Sequence, residues 1–338
     1  MEKWHVANVK SDEFYFVMLI NEDLIMNENE NGYLGDVEVT NYSFTETTSS
    51  TNAETQDASS LVSETSTSFN TNETTDTENH ESGFNSNFSE TQSVTSQELA
   101  EIAHNETKQN MIAEHGRYMS EEQIATLESE ETKDRLTVMT SEEYTETFPD
   151  VDFNVLGHCD SEGNIYMKDI SPEIIKHVST HETMHLCAHR ENYMNEYGNK
   201  TIISGLRESL FNEDGSVTDL NRGANEGLTE MYTLRELQNR GEAESAYALN
   251  AYSESRMWSE RIEKLIGSEK MAEAYFGGKR ENFKKEFNRL NDNDPHAWEN
   301  YSRDIDILEY SNDPNKIEQA KWRLMSQYST MAHNKYSV

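Results

Sequence analysis

A sharp change in composition near Gln97 restricts how this 338-residue chain can fold more than any other feature. Between residues 41 and 96 the chain consists mainly of Thr, Ser, Asn and Glu, with few large apolar side chains. Such a segment buries too little apolar surface to offset the entropy lost on ordering, so we predict a disordered acidic linker over 41–96. The more apolar segment 1–40 could form a small strand pair or a recognition segment, and a globular domain is expected over 97–338.

The charge balance excludes several kinds of partner. Acidic residues outnumber basic ones 64 to 28, which gives a formal net charge of −36. Nucleic acid and anionic membrane surfaces are bound by clustered Lys and Arg, so neither is an expected partner. No apolar run is long enough for a membrane span, and no secretory signal peptide is recognisable. We therefore expect a cytoplasmic protein, or one exported by a route that needs no such signal.

The pattern after Gln97 predicts an α+β fold, with strands first and helices after. Two helices are expected at Gln97–Glu114 and Ser120–Leu127, and the strands at Arg135–Met139, Phe153–His158 and Asn164–Lys168. Ser171 and Pro172 suit the start of a helix, and almost everything after them is predicted to be helical. Further helices are predicted at roughly 203–212, 223–240, 243–266, 268–276, 279–291, 296–309 and 313–332.

The sequence His181-Glu182-Thr183-Met184-His185 carries the chemistry. On a helix, residues four apart project from the same face, so the two imidazoles can bind one metal ion. Glu182 lies on an adjacent face, where a general base is needed. Zinc lowers the pKa of a bound water to about 7, which allows a carboxylate to accept its proton at neutral pH.

His177 complicates this interpretation because it lies four residues before His181 on the same helical face. His177 and His181 could form the metal-binding pair instead. The residue after His177 is Val178, however, so that pair would lack a base. We therefore expect His177 to be a partly exposed polar residue near the site.

A catalytic zinc site needs a third protein ligand and keeps its fourth position open. The best candidate lies in the segment Asn225-Glu226-Gly227-Leu228-Thr229-Glu230. Glu226 and Glu230 are four residues apart and share a helical face. One carboxylate can bind the metal, while the other accepts the free ring N–H of a ligating histidine.

Together the two segments resemble the gluzincins, the thermolysin-like zinc peptidases, in which a second helix supplies a glutamate ligand. The resemblance implies a zincin-like fold with a small N-terminal sheet, an active-site helix and a mostly helical C-terminal lobe. It implies Zn²⁺ held by His181, His185 and Glu226, with Glu182 as general base and acid. Glu230 would be the partner of His181, and Asn225 a structural or substrate contact.

The same resemblance predicts how a substrate would be bound and cleaved. The strand Asn164–Lys168 would be the edge strand that pairs with an extended peptide, so a peptide or protein is the expected substrate. Tyr252 is the first candidate for stabilising the oxyanion, with His296 and Tyr232 as rivals. The alternative is a zinc-binding interaction or scaffold protein with a zincin fold and no catalysis.

Overall fold

The structure, a computed structural model, describes residues 4–10, 15–21, 41–43, 94–129, 135–194, 198–212, 214 and 216–337. The linker predicted over 41–96 lies outside the described residues except at its two ends. Within the predicted N-terminal segment, strands Trp4–Lys10 (β1) and Tyr15–Asn21 (β2) pair antiparallel. A third short strand, Asn41–Ser43 (β3), pairs parallel to β1.

The described residues from 94 onward form an α+β arrangement in which helices predominate. The strands are Leu136–Met139 (β4), Gly157–Cys159 (β5), Ile165–Lys168 (β6), Arg190–Met194 (β7), Lys200–Ser204 (β8), Arg207–Phe211 (β9) and Val217–Leu220 (β10). The helices are Ser96–His115 (α1), Glu121–Glu128 (α2), Ser141–Thr147 (α3), Pro172–Cys187 (α4), Arg222–Asn239 (α5), Ala243–Ala246 (α6), Ser253–Ile266 (α7), Ser268–Tyr275 (α8), Arg280–Leu290 (α9), Ala297–Tyr310 (α10) and Pro314–Tyr336 (α11).

The predicted secondary structure fails chiefly between the two helices that carry the motifs. The prediction of a helix over 203–212 is wrong. Residues of this range belong to a four-stranded antiparallel sheet with the strand order β10-β9-β8-β7. Its turn contains Gly205, whose positive φ of 58° suits a tight reversal rather than a helix. Of the strand predicted over 153–158, only residues 157 and 158 are in a strand, namely β5. The helix predicted over 243–266 is interrupted before Tyr252, whose backbone adopts a left-handed conformation (φ 49°).

Helix α4 lies between a small sheet and the other helices. It starts at Pro172 with Ser171 as its N-cap residue, although the serine side chain makes no capping hydrogen bond. Its apolar residues Ile175 and Val178 pack onto the sheet β4-β6-β5, together with Ile165 and Met167. Both flanks of α4 are covered, by α1 on one side and by α5 on the other. The histidines of α4 therefore face the interior.

Helix α5 is anchored at its first turn by the neighbouring helix α10. The backbone N–H of Gly223 donates to the carboxylate of Asp306 at 2.6 Å, which satisfies one of the free amide groups at the helix start. The large core cluster lies along α5 and the helices that follow it, and includes Trp258, Trp298 and Phe287.

Among the helices of the described residues, none combines the length and apolar character that a membrane crossing requires.

Candidate metal centre

Helix α4 presents two imidazoles to one point. The rings of His181 and His185 lie 5.0 Å apart and nearly perpendicular to each other. They are one helical turn apart, so the spacing in the sequence is sufficient to place them together. His181 is buried (6% exposed), which removes most competition from water for its ring nitrogens.

Helix α5 brings a carboxylate to the same point. One oxygen of Glu226 lies 3.4 Å from Nε2 of His181 and 3.1 Å from Nε2 of His185. All three candidate ligand atoms lie within 4.8 Å of one another. Ligands about 2.0–2.2 Å from a tetrahedral zinc are separated from each other by about 3.3–3.6 Å, close to the two distances observed. The three side chains therefore fit one small cation.

The hydrogen-bond partners of the two histidines determine which ring nitrogens face the candidate metal position. Nδ1 of His181 donates to the carboxylate of Glu230 at 2.9 Å, which leaves Nε2 for the metal. Nδ1 of His185 lies 3.4 Å from the hydroxyl of Thr229, whose own proton is donated to the backbone carbonyl of Asn225 at 2.8 Å. Such outer hydrogen bonds orient ligating histidines and fix their tautomers.

The buried charges are arranged to accept a cation. Burial opposes the charged form of His181, but hydrogen bonds to Glu226 and Glu230 outweigh it and raise the pKa of His181 to about 10. Burial also opposes ionisation of Glu226, yet His185 and His181 hold its pKa well below the ordinary value. A metal ion bound here would replace the proton that this carboxylate favours on the imidazole of His181.

Comparisons of the chain with protein-family models, curated proteins and solved structures give no match.

Glu182 lies beside the cluster and is held by the neighbouring sheet. It is 8% exposed, and its carboxylate accepts a hydrogen bond from the backbone of Cys159 on β5. Burial raises the pKa of Glu182, against the opposing effect of His181 and His185. A carboxyl group with a raised pKa is suited to exchanging protons near neutral pH.

The prediction that Asn164–Lys168 is an edge strand is wrong. Strand β6, which was expected at the edge, is the central strand of the order β4-β6-β5. Its neighbour β5 is the strand that touches Glu182, and therefore lines the centre. The hydrogen bonds from Asp160 N to Asn164 O and from Lys168 N to Leu156 O fix the register of β5 against β6. In that register the backbone groups of residues 157 and 159 point away from β6.

The structure places the phenol of Tyr252 next to the cluster. Its ring stacks on the imidazole of His181 with a centroid separation of 5.6 Å. The Glu226 carboxylate and burial both raise the pKa of Tyr252, so its hydroxyl keeps its proton. Of the two rivals, Tyr232 packs against Tyr275 and Phe276 in the core, and its hydroxyl makes no hydrogen bond.

The remaining rival, His296, is an exposed N-cap residue at the start of α10. Sequence reasoning missed Tyr310 at the end of the same helix. Burial raises the pKa of Tyr310, and the carboxylate of Glu226 adds to the effect, so this partly exposed phenol lies within electrostatic reach of the cluster. Nothing in the local sequence distinguishes Tyr310 from the other tyrosines, because its position depends on how α10 packs against α5.

Asn225 has a structural role. Its side-chain oxygen accepts the backbone N–H of Leu206 at 2.9 Å, and the residue is 1% exposed. This bond joins the turn between β8 and β9 to the helix that carries Glu226. The side chain fixes the four-stranded sheet to α5, and its contact is with the protein backbone.

The expectation for His177 is also wrong, because the residue is buried at 1% exposed. Its Nδ1 lies 3.0 Å from the carbonyl oxygen of Ser245, and its Nε2 lies 3.2 Å from the carboxylate of Glu230. His177 is therefore behind the cluster, on the far side of Glu230 from His181. Its sequence spacing shows that it shares the face of His181, but it does not show that this face is enclosed by α6.

Proposed function

We propose that this chain is a zinc-dependent peptidase with a zincin-like fold. The observation that carries the proposal is the convergence of His181, His185 and Glu226 from two helices, with Glu182 buried beside them. Structural zinc sites are closed by four protein ligands, whereas catalytic sites have three and an open position. Three ligand side chains converge here among the described residues, and this number favours catalysis over a purely structural role.

Zinc held here would polarise a substrate carbonyl and lower the pKa of a water molecule to about 7. Glu182 would accept the proton of the attacking water and pass it to the leaving amine. Its burial supports this role, because a raised pKa makes the carboxyl group a better proton carrier near pH 7. Tyr252 keeps its hydroxyl proton and can donate it to the oxyanion of the tetrahedral intermediate.

A peptide is the substrate class that the neighbouring sheet favours. The outer edge of β5 offers the backbone N–H and C=O of Gly157 to an extended chain, in the manner of an added strand. Two residues further along the same edge, the backbone of Cys159 bonds to the carboxylate of Glu182. A peptide strand paired with β5 would thus lie with its backbone next to the general base.

The test uses the full chain and one matched variant. Zinc content of the purified protein is measured by mass spectrometry, and cleavage is assayed on casein and on a peptide mixture. Glu182→Gln removes the base and keeps the side-chain shape, so we expect stoichiometric zinc in both proteins and cleavage in the wild type alone. Absence of zinc from the wild type would refute the proposal. Zinc binding without cleavage of any peptide would favour the scaffold alternative.

A further inference from the structure

A buried chain of hydrogen bonds extends behind the candidate metal centre. It runs from the carbonyl of Ser245 to His177 (3.0 Å), on to the carboxylate of Glu230 (3.2 Å), and then to Nδ1 of His181 (2.9 Å). His177 and Glu230 are each 1% exposed, so no bulk water can replace either partner. These hydrogen bonds connect three elements: the backbone of α6 and side chains of α4 and α5.

The donors and acceptors of this chain determine its charge. The carbonyl of Ser245 can only accept, so Nδ1 of His177 must donate to it. The other ring nitrogen and the carboxylate of Glu230 approach each other closely, which requires one shared proton between them. The pair of His177 and Glu230 is therefore neutral as a whole. Without His177 the buried carboxylate of Glu230 would keep only the Nδ1–H of His181 as a partner and its charge would be uncompensated, a costly arrangement in a protein interior.

We propose that His177 is a positioning residue for the metal centre. It compensates the charge of Glu230 and holds that carboxylate in the orientation that receives Nδ1–H of His181. This inference rests on the proposed metal binding by His181. It goes beyond the ligand set, because His177 acts on the metal through two intervening side chains.

The bond to Ser245 ties His177 to the segment that leads to Tyr252. Ser245 lies on α6, and the polypeptide continues from there to Tyr252, whose ring stacks on His181. Lys176, the neighbour of His177, bonds to Glu242 at 3.2 Å and ties the same segment to α4. His177 thereby links the support of the ligand His181 to the segment that leads to the candidate oxyanion donor.

Two substitutions separate the two hydrogen bonds of His177. His177→Asn keeps an N–H group near the position of Nδ1 but is too short to reach Glu230. His177→Gln carries its N–H group near the position of Nε2 and can still donate to Glu230. His104→Asn is the matched control, since His104 is equally buried at 1% exposed and bonds to Thr183, on α4.

The zinc dissociation constant and the visible spectrum of the Co²⁺-loaded protein are measured for the wild type and for each of these three variants. Substitution of outer partners of ligating histidines typically weakens metal binding by about 10–100-fold. We expect a loss of at least about tenfold and shifted cobalt bands for His177→Asn, with most of the affinity recovered in His177→Gln. His104→Asn should retain the wild-type affinity and spectrum, because its bond lies outside the chain to Glu230.

The outcomes distinguish this inference from the proposed function. Wild-type zinc affinity and an unshifted cobalt spectrum in His177→Asn would overturn the role of His177 and leave the proposed peptidase intact. A wild type that binds no zinc would overturn both. Should His177→Asn not fold, His177→Leu, which removes both hydrogen bonds and fills the buried space, is compared alone and together with Glu230→Gln. A smaller effect of His177→Leu in the Glu230→Gln background supports coupling through Glu230, and additive effects contradict it.

Discussion

Gly227 follows the candidate ligand Glu226 directly, and replacing it with alanine tests how closely α5 and α7 must approach. A Cβ atom at Gly227 would lie 2.5 Å from the carbonyl oxygen and 2.7 Å from Cβ of Ser255, at the start of α7. Ordinary van der Waals contact begins near 3.4 Å, so the helices would have to separate by about 0.9 Å. The atoms in the way belong to backbone and to a short side chain, which cannot rotate aside.

The expected size of the effect follows from two opposing contributions. Alanine favours a helix interior over glycine by about 1 kcal/mol. Overpacking of a closely packed interface costs about 1–3 kcal/mol, and a contact with backbone belongs at the upper end of this range. We therefore expect Gly227→Ala to lower the free energy of unfolding by about 2 kcal/mol. Because Tyr252 is the N-cap residue of α7, its ring should also shift relative to His181.

Urea unfolding measured by circular dichroism provides the assay, with Asn239→Ala as the control. Asn239 is exposed on the same helix, so alanine there raises helix propensity without adding a contact. Peptide cleavage should fall by up to about 100-fold in Gly227→Ala, because a displacement near 1 Å at an active site has that effect. A Gly227→Ala protein as stable as the wild type, or more stable, would refute the packing argument.

Three further predictions test other parts of the account. Tyr252→Phe should lower kcat by about 10²–10³-fold while KM and zinc content stay unchanged, and an unaltered kcat would exclude Tyr252 as an oxyanion donor. Asn225→Ala leaves a buried backbone N–H without its acceptor, so thermal and urea unfolding should show a loss of about 1–3 kcal/mol. Hydrogen bonding to Arg289 and Lys270 lowers the pKa of Glu286 to about 2, against the opposing effect of burial. Its stabilising contribution is then complete above the ordinary pKa of 4.5 and is lost as the pH falls towards 2. Urea unfolding at pH 6 and pH 3 should show the stability difference between wild type and Glu286→Gln shrinking at the lower pH, and a constant difference would contradict this.

The sequence was informative where a local pattern decides the structure. The spacing of His181 and His185 places both rings on one face of α4, and Ser171-Pro172 marks the start of that helix as observed. The helix of Glu226 was also located, because its residues form a continuous periodic pattern. The α+β character followed from the order of these elements, and the described residues confirm it.

The wrong predictions concern properties that depend on distant parts of the chain. Strands β8 and β9 are five residues each and carry polar side chains, so their pattern does not distinguish them from a helix. Which strand lies at a sheet edge depends on pairing between residues far apart in sequence, and β6 was misjudged for that reason. The burial of His177 depends on the position of α6, about seventy residues later.

The position of the metal itself tests the central claim most directly. Crystals of the zinc-loaded protein, with anomalous diffraction recorded on both sides of the zinc absorption edge, would locate the ion. We expect one strong peak about 2.0–2.2 Å from Nε2 of His181, Nε2 of His185 and a carboxylate oxygen of Glu226. A peak elsewhere, or Glu226 turned away from a zinc ion held by other groups, would contradict the account.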